Sequence, residues 1–186
     1  HTSQGVVLHS GDYKIDLTPV DSRRTDLARI GQLAKDPGIR LLMSDSTNAE
    51  EAGYSPSETS VGSVLTGLFA AHRDRRIVTA SFASHLHRIQ QIATAAIADG
   101  RKIATLGRSM NNNVNLARQM GLLTIPDTSI IKIEDIENYS DSELCIISTG
   151  SQGEPMAALA RMATGDNRFL TIRDGDTVIL SSHPIP

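Results

Sequence analysis

Four short apolar runs in this chain each break off into small, hydroxyl- or glycine-rich residues. They are LLMSDSTN (41–48), IATLGRSMNNN (103–113), LCIISTGSQGEP (144–155) and VILSSHPIP (178–186). Runs of this length, rich in Leu, Ile and Val and bounded by turn formers, read as buried β-strands. They are continuously apolar rather than alternating, the mark of parallel strands covered on both faces. Such a sheet lines up the carboxyl ends of its strands along one edge, where ligands bind. Ser, Thr, Gly and Asn at that edge offer hydroxyls and approachable backbone N–H groups. That chemistry suits an anion such as phosphate.

The segments between these runs carry helical patterning. Helices are expected at 58–73, 85–98, 112–120 and 155–163, alternating with strands at 77–80, 103–106, 144–148 and 177–180. Regular alternation of this kind implies βαβ units and a parallel sheet, so the fold class is α/β. Before residue 50 the grammar differs: a strand at 5–9, a short helix within 22–35 and a strand at 39–43. A Gly-, Pro-, Ser- and Thr-containing loop over 48–60 follows, and the domain boundary is placed near residue 50, giving segments 1–50 and 51–186. Residues 124–143 are the least regular stretch and read as partly loop.

Composition narrows the class. Aromatics make up 3% of the 186 residues and Trp is absent, so the core must be aliphatic. The single cysteine, Cys145, lies inside an apolar run and has no partner for an internal disulfide, which fits a reducing compartment. With that lone cysteine a cytoplasmic protein is expected, and no apolar stretch approaches membrane-spanning length, so no membrane partner is expected. A net charge of −3 argues against holding nucleic acid by bulk electrostatics alone, though not against a few cations gathered in one groove. The chain opens beside a strand without Met and stops directly after SSHPIP, as expected of a piece of a larger protein.

Candidate functional residues sit at strand ends. Asp12 in HSGDYKID and Asp45 in SDSTN each follow a strand, where a carboxylate can form a turn, bind a metal or serve acid–base chemistry. His85 and His87 lie two apart, so on a helix they point in different directions and suit one metal poorly; one of them is expected to pack against or cap the helix start, with Arg88 as a phosphate contact. Gly107-Arg108-Ser109 combines close backbone approach, a guanidinium and a hydroxyl before a helix, and reads equally well as a phosphate cradle or an ordinary strand-to-helix turn. Ser148, Gly150 and Ser151 belong to the stronger loop, STGSQGEP, which is shaped to expose N–H groups.

Taken together, HSGDYKID, SDSTN, FASHLHRIQQI, GRSM, STGSQGEP and SSHPIP resemble, in unbroken order, the signature segments of the ribonuclease J family. That family belongs to the β-CASP branch of the metallo-β-lactamase superfamily. The resemblance implies a parallel-sheet β-CASP domain preceded by a short piece of a metallo-β-lactamase domain. It implies a bacterial nuclease with two zinc ions that cuts single-stranded RNA internally and trims it from a 5′-monophosphate end, in RNA maturation and decay. It also implies a homodimer or homotetramer as the full-length protein.

Among the family's metal ligands, Asp12 matches the bridging aspartate, and Asp45 matches the motif A acid. The remaining ligands are expected outside His1–Pro186, so this chain alone is expected to be inactive. By the same resemblance, the loops carrying Gly107, Arg108, Ser109, Ser148, Gly150 and Ser151 hold the RNA backbone and terminal phosphate. His85 stands where the family often has Asn, which departs from the pattern, whereas His87-Arg88 fits it. Two other readings stay open: a non-catalytic RNA-binding paralogue and a sugar-phosphate-binding α/β module.

Overall fold

A computed structural model describes residues 1–47 and 49–182. The chain divides into two compact units, His1–Ser60 and Val61–Pro186, a division later than the boundary near residue 50 read from the loop composition.

In the first unit β1 (Val6–His9) and β2 (Ile39–Met43) form a parallel pair. Helix α1 (Leu27–Lys35) connects them, shorter at its start than the 22–35 pattern because Asp26 caps it by accepting from the Arg29 N–H at 2.9 Å. Leu41, Leu42 and Met43 remain about half exposed.

The second unit is a five-stranded, fully parallel sheet in the order β5-β4-β6-β3-β7. Its strands are β3 (Ile77–Ala80), β4 (Lys102–Leu106), β5 (Ile130–Ile131), β6 (Leu144–Ser148) and β7 (Thr177–Leu180). The helices are α2 (Thr59–Ala71), α3 (Leu86–Ala98), α4 (Arg108–Gln119) and α5 (Ala158–Ala163). The irregular 124–143 stretch contributes β5 and three 3-10 turns.

Alternating strand residues feed two cores. Ile77, Ile103, Cys145 and Ile147 pack with α2, α3 and α4, including Met110, Val114 and Ala117. Val78, Ala104, Leu144 and Ile146 pack on the other face with Ala158 and Met162 of α5 and with Ile133 and Ile136. Burial pushes the Cys145 thiol up to about 12, so the cysteine is an inert core residue.

Two buried, multiply hydrogen-bonded arginines tie the edges of this unit. Arg101, with a side chain 0% exposed, donates to Asp99 and to the carbonyls of Arg75, Leu144 and His72, and its guanidinium lies 5.7 Å from the Phe69 ring centre. Arg76 makes a two-pronged pair with Asp176 and donates to the Thr171 carbonyl, joining β3 to the turn before β7.

Candidate functional site

In the first unit the loops that follow β1 and β2 are tied together. His9 pairs with Met43 at the strand ends, and the Asp45 N–H donates to Ser10 Oγ at 2.9 Å. The Asp45 carboxylate accepts from the Thr47 hydroxyl at 2.7 Å and the Thr47 N–H at 3.0 Å. Those bonds, the hydroxyl first, hold its pKa below the usual carboxylate value, so it stays ionised. Asp12 is exposed and makes no hydrogen bond or ion pair among the described residues. Adjacent parallel strands therefore do present both carboxylates from neighbouring loops. Among the described residues no group of three or more His, Cys, Asp or Glu could hold a metal.

The second unit has its crevice where the connections part. After β4 the chain enters α4 on one face of the sheet; after the adjacent β6 it enters α5 on the other. Neighbouring strands whose connections diverge in this way open a crevice at their carboxyl ends, the usual ligand position in parallel α/β sheets.

Both phosphate-loop candidates stand at this crevice. The helix expected over 112–120 instead begins at Arg108, because Met110, Val114 and Ala117 share one buried face with the core. Arg108 and Ser109 thus lie in the first turn of α4, with Gly107 as its N-cap and no side chain capping the helix. Its leading N–H groups can then face a ligand, and the helix dipole favours an anion. Arg108 is exposed and has no hydrogen bond or ion pair among the described residues.

Opposite it runs the loop from Ser148. Thr149, which the sequence reading passed over, organises this loop: its hydroxyl accepts from the Ala158 N–H at 3.3 Å and its carbonyl from the Leu159 N–H at 3.0 Å. A Cβ on Gly107 would stand 2.9 Å from Thr149 Oγ1, so the two loops meet there.

Gly150 has φ +106°, and a Cβ there would lie 2.9 Å from Ala157 Cβ and 3.0 Å from Leu159 Cβ. Backbone in that region is tolerated almost only by glycine. Gly150→Ala should therefore lose about 2–6 kcal/mol of stability, from backbone strain plus overpacking. Chemical denaturation would read it as a lower midpoint, and an unchanged midpoint would contradict the packing described.

Ser148, Arg88 and Ser151 depart from the expected phosphate contacts, whereas His85 takes one of the roles expected for the histidine pair. Ser148 is fully buried and its hydroxyl donates to the Thr79 carbonyl at 3.1 Å, leaving no surface for a ligand. Arg88 is turned to the end of β7, donating to the Ser181 carbonyl at 2.7 Å and hydroxyl at 3.1 Å. His85 is the helix cap: its Nδ1 accepts from the Arg88 N–H. Ser151 is buried, and its carbonyl accepts from the Ser182 hydroxyl at 3.3 Å. His183 and the rest of the terminal PIP segment lie outside the described residues, as does Asn48.

The family model for the β-CASP domain of ribonuclease J matches residues 74–186. Over its whole length the chain is 46% identical to ribonuclease J of Mycolicibacterium smegmatis, covering 33% of that protein. It is 44% identical to ribonuclease J of Synechocystis sp., covering 29%, and 42% identical to ribonuclease J of Helicobacter pylori, covering 27%. The chain spans about a third or less of the length of these relatives.

Proposed function

The chain belongs to the ribonuclease J family through its β-CASP domain, and we propose that it is the part of such a ribonuclease that grips the backbone and 5′-monophosphate end of single-stranded RNA. The observation that carries this reading is the crevice between β4 and β6, where an uncapped α4 N-terminus and Arg108, without a partner among the described residues, face the Thr149-Gly150 loop. Here the guanidinium and the Ser109 hydroxyl act as donors to phosphate oxygens, while the first-turn N–H groups and helix dipole stabilise its charge. A terminal monophosphate carries more charge than an internal phosphodiester and gains more from this arrangement.

In the intact protein the reaction is phosphodiester hydrolysis, internal and 5′-to-3′, in RNA maturation and decay. Zinc bound there would supply a water of lowered pKa as nucleophile. Asp12, exposed and without a hydrogen bond or ion pair among the described residues, would be the carboxylate this chain gives to the ions. Asp45, locked by Thr47, orients the loop beside it rather than moving a proton. The half-exposed Leu41, Leu42 and Met43 of a parallel strand pair fit a lactamase-like unit whose sheet is completed by more of the protein. A cytoplasmic homodimer or homotetramer is the assembly proposed, and no helix of the described residues is long and apolar enough to cross a membrane.

Arg108→Ala in the intact protein tests the reading. A charge-assisted hydrogen bond contributes about 1.5–3 kcal/mol, so processing of 5′-monophosphorylated RNA should fall roughly tenfold or more. Internal cleavage of a 5′-blocked substrate should fall less. Equal losses would make Arg108 a general backbone clamp, and no loss would remove the phosphate reading.

A further inference from the structure

The crevice continues from Arg108 onto the α5 face of the sheet as a cleft of about 790 Å³. That is within the roughly 300–1,000 Å³ range of small-molecule sites. Arg161 and Arg168 line it together with Arg108, against Glu134 and Glu154, so cations outnumber acids. The guanidinium of Arg168 lies 4.4 Å from the Phe169 ring centre, and Arg168 has no hydrogen bond or ion pair among the described residues. Phe169 is itself packed against the core, so the stacked pair is a flat cationic shelf fixed from below. Asn111 Oδ1, in a residue that also lines the cleft, is buried and without a hydrogen-bond partner. An orphaned buried acceptor is costly unless a ligand satisfies it.

A cationic flat shelf, extra guanidinium groups and a waiting acceptor match one class of molecule: a planar heterocycle with N–H donors, joined to phosphate. We propose that this cleft binds a nucleotide, its base on the Arg168 guanidinium plane, a base N–H toward Asn111 and its phosphate toward Arg161. Bases stack on guanidinium planes and aromatic rings in single-stranded RNA recognition, and guanidinium groups suit phosphate. The nucleotide is either one residue of an RNA chain or a free nucleoside monophosphate. This inference shares only Arg108 with the reading above and rests on residues that reading does not use.

The test is equilibrium binding of adenosine 5′-monophosphate and ribose 5-phosphate to the intact protein in chelator. The base should make the nucleotide bind at least tenfold tighter than the sugar phosphate. Arg168→Lys, which keeps the charge but not the plane, should weaken the nucleotide several-fold and leave ribose 5-phosphate unchanged. Arg161→Ala should weaken both. Competition by a 5′-monophosphorylated RNA would assign the cleft to a residue of the chain, and undisturbed binding beside saturating RNA would assign it to free nucleotide. Equal affinity for the two probes, or binding indifferent to both variants, would overturn the proposal. Arg108→Ala processing is read separately, so either conclusion can fail without the other.

Discussion

Asp12→Ala in the intact protein is expected to reduce RNA cleavage by about a hundredfold or more while leaving the fold unchanged. The magnitude follows from its proposed place as a metal ligand: residues that merely support a metal ligand already change affinity or activity by roughly 10–100-fold. The intact fold follows from the structure, since Asp12 is exposed and makes no hydrogen bond or ion pair among the described residues. Activity and metal content should fall together while the unfolding midpoint stays put. A variant with normal metal content and normal turnover would remove Asp12 from the metal site.

Arg101→Met should do the opposite, weakening the fold without touching the site. The substitution keeps an apolar stem over Phe69 but strips donors from three carbonyls and from Asp99, all around a side chain 0% exposed. Removing one member of a buried ion-pair network costs about 3–5 kcal/mol. At roughly 2–4 °C per kcal/mol for a chain of this size, the melting temperature should drop by about 6–20 °C. Arg73→Met is the matched comparison, because Arg73 binds the same Asp99 with its side chain 73% exposed. An exposed pair contributes only about 0–1 kcal/mol, so near-equal losses in the two variants would contradict the network described for Arg101.

The central strands β3 and β6 were legible in the sequence because they are buried on both faces, and uninterrupted apolar runs such as LCIIS leave little room for another reading, whereas the two-residue β5 lay hidden in the irregular 124–143 stretch. The start of α4 was not. Three consecutive asparagines look like caps, whereas the buried stripe Met110, Val114 and Ala117 carries the helix back to Arg108. Ser148 misled for a different reason: it is the last residue of a strand, and only its register opposite Ala80 shows that its hydroxyl turns inward to Thr79. Nothing local marks Arg161 and Arg168 as partners of Arg108, since a connection of several tens of residues separates them and only the diverging exits of β4 and β6 bring them to one cleft. Thr149 stood within a recognised segment, yet its value lies in bonds to Ala158 and Leu159 that no spacing rule announces.

The most direct measurement is an experimental structure of the intact protein, held inactive by chelator, with a 5′-monophosphorylated oligonucleotide. The terminal phosphate should sit at the first turn of α4, within hydrogen-bonding distance of the Arg108 guanidinium and close to the Thr149-Gly150 loop. A terminal phosphate bound elsewhere, with Arg108 left in solvent, would contradict the assignment of this crevice as the RNA end-binding site.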